Sequence, residues 1–130
     1  MNFDEVMALS DEELQIRVAM LQGAARTEKR NGCLQQYRFE DDMGFGPVWQ
    51  PIPDYPNDIA AAWELAEKAR LSVICVDCAS GQDEDIWGAG KGDIDGLLEE
   101  FYAPWSLMTA KTAARAITRA FVWVRTQGAT

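Results

Sequence analysis

A chain of 130 residues, 48% hydrophobic and 25% charged, has the composition of one folded domain spanning 1–130 and not that of a disordered segment. Its 21 acids against 12 bases leave a formal charge of −9, which repels nucleic-acid phosphates and anionic lipid heads, so neither is expected as a direct partner. The absence of histidine removes Ser-His-Asp and Cys-His catalysis, His-ligated zinc and charge switching near neutrality.

No apolar run is long enough to span a bilayer, and the first residues carry acids where a secretory leader carries Lys or Arg. A cytoplasmic protein is the expectation, with Cys33, Cys75 and Cys78 reduced. The first element begins at Ser10-Asp11-Glu12-Glu13, a capping box in which serine and Glu13 satisfy each other's backbone amides. Leu14, Val18 and Leu21 then recur on one helical face, and Gly23 supplies a stop. Residues 24–32 read as a polar loop in which Arg26, Lys29 and Arg30 are solvated, closing on an Asn31-Gly32 turn. Cys33 to Phe39 has strand character, and Asp41 to Pro53 reads as a loop leading into a short edge strand.

Pro56-Asn57-Asp58 marks a second helix, with Asn57 or Asp58 as its cap. Ile59, Ala62, Trp63, Ala66 and Ala69 form one stripe, which makes Trp63 a core anchor, while Glu64 and Lys68 face outward as an i, i+4 pair. Leu71 to Ala79 is rich in β-branched residues and apolar on both faces, as expected of a central strand, with Asp85 to Ala89 pairing back on it. From Gly88 the glycines predict a loosened segment. A last helix is expected from about Thr109 to Arg125. Its inner stripe is Ala113, Ile117, Ala120 and Val124, widened by Ala116 and Phe121, and Lys111, Arg115 and Arg119 form a solvated basic row.

Three motif fragments carry no chemistry. Gly88-Ala89-Gly90-Lys91-Gly92-Asp93 lacks both the earlier glycine and the hydroxyl residue of a phosphate loop. Asp93-Ile94-Asp95-Gly96 has too few oxygen ligands for a calcium loop, and Tyr102 stands where the closing glutamate belongs. Cys75 and Cys78 in an extended strand point to opposite sides and form no metal site. No catalytic, cofactor-binding or metal residue is therefore assigned. The segment from Asp83 to Glu100 holds seven acids against Lys91 alone, with aromatics interspersed. Rings supply contact area and acids supply steering, so Asp83, Glu84, Asp85, Trp87, Asp93, Asp95, Glu99, Glu100 and Tyr102 are the candidate partner-binding residues.

Val48-Trp49-Gln50-Pro51, then Tyr55-Pro56-Asn57-Asp58-Ile59-Ala60-Ala61-Ala62-Trp63-Glu64, with Ala113-Ala114-Arg115-Ala116-Ile117-Thr118-Arg119-Ala120-Phe121 near the end, resembles small phage and prophage proteins of the ABA-sandwich domain family. The resemblance runs through most of residues 5–125 in order and is close only in the second helix; it departs at 88–105. It implies an α+β fold, a small antiparallel sheet between helices in a three-layer α/β/α sandwich, and it implies no activity. The expected role is that of a non-enzymatic phage or prophage accessory protein that binds a host or phage protein. Its sharpest form is an anti-CRISPR-type inhibitor whose acids mimic nucleic acid and occupy a basic nucleic-acid-binding site. Two other roles stand beside it: a small-ligand or nucleotide-binding module near Trp49 and Trp63, and a structural phage component.

Overall fold

The computed structural model describes residues 2–40, 46–75, 87–91 and 108–127. Two capped helices open the chain. Helix α1 (Phe3–Met7) starts from Asn2, and α2 (Asp11–Leu21) starts from Ser10; both caps are complete capping boxes. In the second, Ser10 Oγ accepts from the Glu13 amide at 3.2 Å and Glu13 Oε1 accepts from the Ser10 amide at 3.1 Å, as the sequence predicts. The serine bonds hold the Glu13 carboxyl below its ordinary pKa, because they favour its charged form. At the other end Gly23 takes φ +98°, and the amides of Gly23 and Ala24 donate back to Met20 and Ala19, the double bond of a Schellman close. Leu14 and Val18 are buried as expected, but Leu21 is not: Ala19 turns inward in the last turn and Leu21 stays exposed.

The segment read as a polar loop is a strand. β1 (Arg26–Arg30) pairs antiparallel with β2 (Cys33–Glu40), which pairs with β3 (Gly46–Pro51), giving a first sheet of order β1-β2-β3. The turn between β1 and β2 is the predicted one. Asn31 and Gly32 both have positive φ, 52° and 80°, the geometry that matches strand twist in a two-residue hairpin. β1 escapes a pattern search because its residues, Arg-Thr-Glu-Lys-Arg, bury almost nothing. An edge strand made of charges resists pairing with other chains. Helix α2 covers one face of this sheet, where Gln36 is buried and satisfied: Arg38 Nε donates to its Oε1 and its Nε2 donates to the Pro51 carbonyl.

Helix α3 (Ile59–Ala69) is capped by Asp58, whose Oδ1 accepts from the amides of Ala60 and Ala61. It ends on Arg70 in the left-handed region (φ 53°), and Leu71 donates to Ala66 in a second Schellman close. β4 (Ser72–Cys75), β5 (Trp87–Gly90) and β6 (Met108–Ala110) form a second antiparallel sheet. Two expectations change here. The central strand of this sheet is β5, not the segment after Leu71, and Gly88-Ala89-Gly90 is a buried strand, not the start of a loose segment. Small residues give no apolar pattern, yet they let a helix lie close on the sheet. Residues 108–110, in part assigned to the last helix, form β6 instead.

That helix, α4 (Ala113–Gln127), packs on the second sheet and on α1, α2 and α3. Ala114, Ala116, Ile117, Thr118, Ala120, Phe121 and Val122 are all buried, an arc that covers most of its circumference. The hydroxyl of Thr118 is satisfied by donating to the Ala114 carbonyl at 2.7 Å. A helix buried on so many sides is the core element of the fold. The polar contacts fix its direction relative to its neighbours. Asp11 accepts from Arg115 at 2.8 Å and from Asn57 at 3.2 Å, which gathers the N-terminal ends of α2, α3 and α4. Lys68 donates to Gln22, and Arg125 donates to the Lys68 carbonyl, which gathers their C-terminal ends. The three helices therefore run parallel, each returned to the same start through a sheet. The fold is α+β, as expected, with its strands divided between two three-stranded antiparallel sheets.

Candidate functional site

Helix α3 presents the surface that its sequence assigns to the core. Ala62, Leu65, Ala66 and Ala69 are buried, whereas Ile59 is 52% and Trp63 is 51% exposed. Trp63 is thus not the core anchor. Leu65, fully buried, sets the rotation of the helix, and the buried alanines bring it close to α4. Ile59 and Trp63 lie four residues apart on one flank of α3 and form a continuous apolar strip there. An open groove of ≈310 Å³ begins at Ile59; its other walls are Trp87, Lys111, Thr112, Ala113 and Ala114, with Asn57 at its end. Trp87, half-buried at the start of β5, thereby joins the strip on α3.

Exposed charges of both signs lie along α3, Lys68 and Arg70 as well as the acids. Asp58, Glu64 and Glu67 are all exposed. The expected Glu64–Lys68 pair is replaced, because the Lys68 ammonium donates to Gln22 Oε1 at 2.7 Å. Gln22 also donates to the Tyr55 hydroxyl at 3.1 Å, so the backs of α2 and α3 are joined through one amide. Burial pushes the Tyr55 hydroxyl above its ordinary pKa, and the Glu64 charge adds in the same direction.

The basic row of α4 differs from a solvated face. Lys111 is exposed and lies ahead of the helix, but Arg115 and Arg119 are half-buried ties. Arg115 holds Asp11, and Arg119 donates to the carbonyls of Thr109 and Met7 at 2.6 and 3.5 Å. Polar residues spaced along a central helix satisfy the ends of the elements around it, a role that a sequence pattern cannot distinguish from solvation.

Of the predicted partner-binding residues, Trp87 lines the groove; Asp83, Glu84, Asp85, Asp93, Asp95, Glu99, Glu100 and Tyr102 lie outside the described residues, as does Cys78. Trp49 and Trp63 occupy different elements. Trp49 packs on Tyr37 across the first sheet, ring centroids 5.1 Å apart, beneath the Arg30 guanidinium at 4.5 Å. Cys33 and Cys75 are free and exposed, and among the described residues no three His, Cys, Asp or Glu side chains converge on a metal position. No helix of the described residues is long and apolar enough to cross a membrane. What sequence reasoning missed is the exposure of Ile59 and Trp63. The available signal was Leu65, a larger apolar residue than any alanine of the stripe and two positions from Trp63.

The fold is similar to that of a phage protein from Bacillus cereus ATCC 14579, solved as a crystal structure, with a TM-score of 0.56 and 15% sequence identity over 92% of this chain and 90% of that one. At that identity the likeness concerns the fold. No protein-family model matches the chain and no curated protein matches it, so the resemblance to ABA-sandwich proteins rests on the residues quoted for it.

Proposed function

We propose that this chain is a phage- or prophage-encoded accessory protein that works without catalysis, by binding another protein through the flank of α3. The observation that carries this reading is Trp63, half exposed beside Ile59 and the Trp87 groove on a helix whose core face is built by Ala62, Leu65, Ala66 and Ala69. Tryptophan is among the residues that dominate binding energy at protein interfaces, and a half-exposed pair of large apolar side chains adds less to the fold than the fully buried Leu65 of the same helix. The phage origin of the structural neighbour supports the setting, and the lack of histidine fits a role without acid–base chemistry near neutrality.

The sharper form is inhibition of a host defence protein, with the acids between Asp83 and Glu100 imitating a nucleic-acid backbone before a basic site. Both levels are tested by affinity capture from host lysate followed by mass spectrometry. Three baits are compared: the natural chain, Trp63→Ser, and a charge reversal of Asp93, Asp95, Glu99 and Glu100 to Lys. The expected result is one partner retained by the natural chain and lost with Trp63→Ser. Its loss with the charge reversal as well supports the inhibitor form. A partner captured equally by all three, or none captured by any, overturns the reading.

A further inference from the structure

The first sheet has an outer face with a chemistry of its own. Side chains alternate along β2, so Leu34 and Gln36 turn toward α2 and the core, while Cys33, Gln35 and Tyr37 point the other way. Among the described elements only α2 packs substantially on this sheet. The register places Arg26 and Trp49 on either side of Tyr37, and Glu28 beside Gln35, all on the outer face. Between Ala24 and Arg38 the bases Arg26, Lys29, Arg30 and Arg38 stand against Glu28 alone, in a chain whose total charge is −9. Three of these cations are engaged. Lys29 meets Glu12, Arg38 donates to Gln36 and to the Gln22 carbonyl, and Arg26 meets Glu28 at 2.8 Å. Arg30 is not: its exposed guanidinium lies 4.5 Å from the centre of the Trp49 ring and forms no hydrogen bond or ion pair among the described residues. The indole thus positions a planar fork of donors without using any of them. The side-chain amide of Gln35, half-buried on the same face, forms no hydrogen bond among the described residues either.

We propose that this face binds single-stranded nucleic acid. A phosphate takes the Arg30 fork, bases stack along the row formed by Arg30, Trp49 and Tyr37, and Gln35 meets a base edge. The overall charge alone sets the opposite expectation, but salt confines each charge to about 8 Å at physiological ionic strength, so the local excess of bases governs this face. The acidic remainder of the chain still opposes the ligand at longer range. Stacking therefore carries most of the affinity, and one phosphate contact adds direction. An acidic peptide would also satisfy Arg30, yet it lacks the flat faces that a row of planar groups accepts. A duplex keeps its base faces covered. The site lies on a different sheet from the α3 flank, and it goes beyond the protein-binding reading without resting on it.

The test titrates the purified full chain into a fluorescent oligothymidylate of about ten nucleotides and follows anisotropy. Expected is saturable binding that weakens about tenfold in Trp49→Ala and in Arg30→Gln, as loss of one stacking partner warrants. Its salt dependence should be shallow, with log K falling against log salt at a slope of about −0.7, the value for one phosphate on a single strand. Arg30 is exposed, so Arg30→Gln tests the site even where Trp49→Ala disturbs the sheet. Lys29→Gln removes the same charge from the α2 side and is expected to bind as the natural chain does, as is Trp63→Ser. Equal weakening in Arg30→Gln and Lys29→Gln means adsorption by charge and overturns the inference. So does equal binding of the duplex with oligodeoxyadenylate, tighter binding of a peptide of Glu and Phe, or no saturable binding at all. A cellular partner lost with Trp63→Ser bears on the functional reading alone, and loss of oligonucleotide binding with Arg30→Gln bears on this inference alone.

Discussion

Replacing Trp63 and Leu65 separately by alanine distinguishes a surface tryptophan from a core one two residues away. Leu65 is fully buried, and its truncation leaves a cavity that α4 cannot fill without moving. A cost of about 3 kcal/mol follows from measured Leu→Ala series. Trp63 is 51% exposed. A tryptophan contributes roughly 150–250 Å² when buried, so about 80 Å² beyond Cβ is covered here, worth about 2 kcal/mol at 25 cal/mol per Å². Denatured-state compaction reduces that to about 1.4 kcal/mol, and the better helix propensity of alanine returns about 0.5 kcal/mol. Water fills the space, so no cavity cost is added. Trp63→Ala is therefore expected to cost about 1 kcal/mol, a third of Leu65→Ala. Urea unfolding with a common m-value measures both. A Trp63→Ala loss equal to or larger than that of Leu65→Ala would refute the assignment of the α3 flank as surface, and with it the proposed binding face.

Five further substitutions have expected outcomes. Arg70→Gly should raise stability by about 0.5–1 kcal/mol, because Arg70 closes α3 at φ 53°, where glycine is unstrained; Gly32→Ala at φ 80° should lower it by a similar amount on the same urea assay. Ser10→Ala removes the α2 cap at a cost of about 1 kcal/mol. The folded Glu13 pKa is depressed, so its contribution is present above the unfolded carboxylate pKa and is lost as pH falls through the folded value; in Ser10→Ala the acid side of the stability–pH curve should flatten. Tyr55 has the opposite sign, a raised pKa, so its contribution is complete below the ordinary value of 10.0 and is lost as pH rises through the folded value; Tyr55→Phe should remove that alkaline loss in thermal melts. Asp11→Asn weakens a pair whose side chains are about a third exposed, and its cost should stay below about 1 kcal/mol and shrink further in high salt.

The parts of the fold legible in the sequence are those governed by local stereochemistry. The Ser10 box, the Gly23 close, the Asn31-Gly32 turn and the Asp58 cap each need a particular residue at one position, and each is found there. Tertiary choices were less visible. β1 is charged because it is an edge, which erases the alternation that marks a strand. Gly88-Ala89-Gly90 is central because it is small, which resembles a loop in composition. The α3 stripe was drawn through Ile59 and Trp63 because large apolar residues are weighted inward. Helical spacing alone could not decide between that arc and the neighbouring one through Leu65. Of the proposed site, the sequence supplied Trp87 but placed it in an acidic segment, not beside α3. The two lie 28 or fewer positions apart in the chain and meet at the groove, which only the folded chain forms.

The parallel run of α2, α3 and α4 carries a consequence for synthesis on the ribosome. Asp11 waits for Arg115, 104 residues later, and Met7 accepts from Arg119 across 112 residues. Both sheets can pair their strands as they emerge, but the surfaces that the second sheet, α1, α2 and α3 share with α4 stay open to solvent until that helix arrives. The nascent chain thus passes most of its elongation with Leu14, Val18 and Leu65 uncovered, in reach of chaperones. Closure comes in one late step, and a truncation before α4 yields not a smaller fold but an aggregating one.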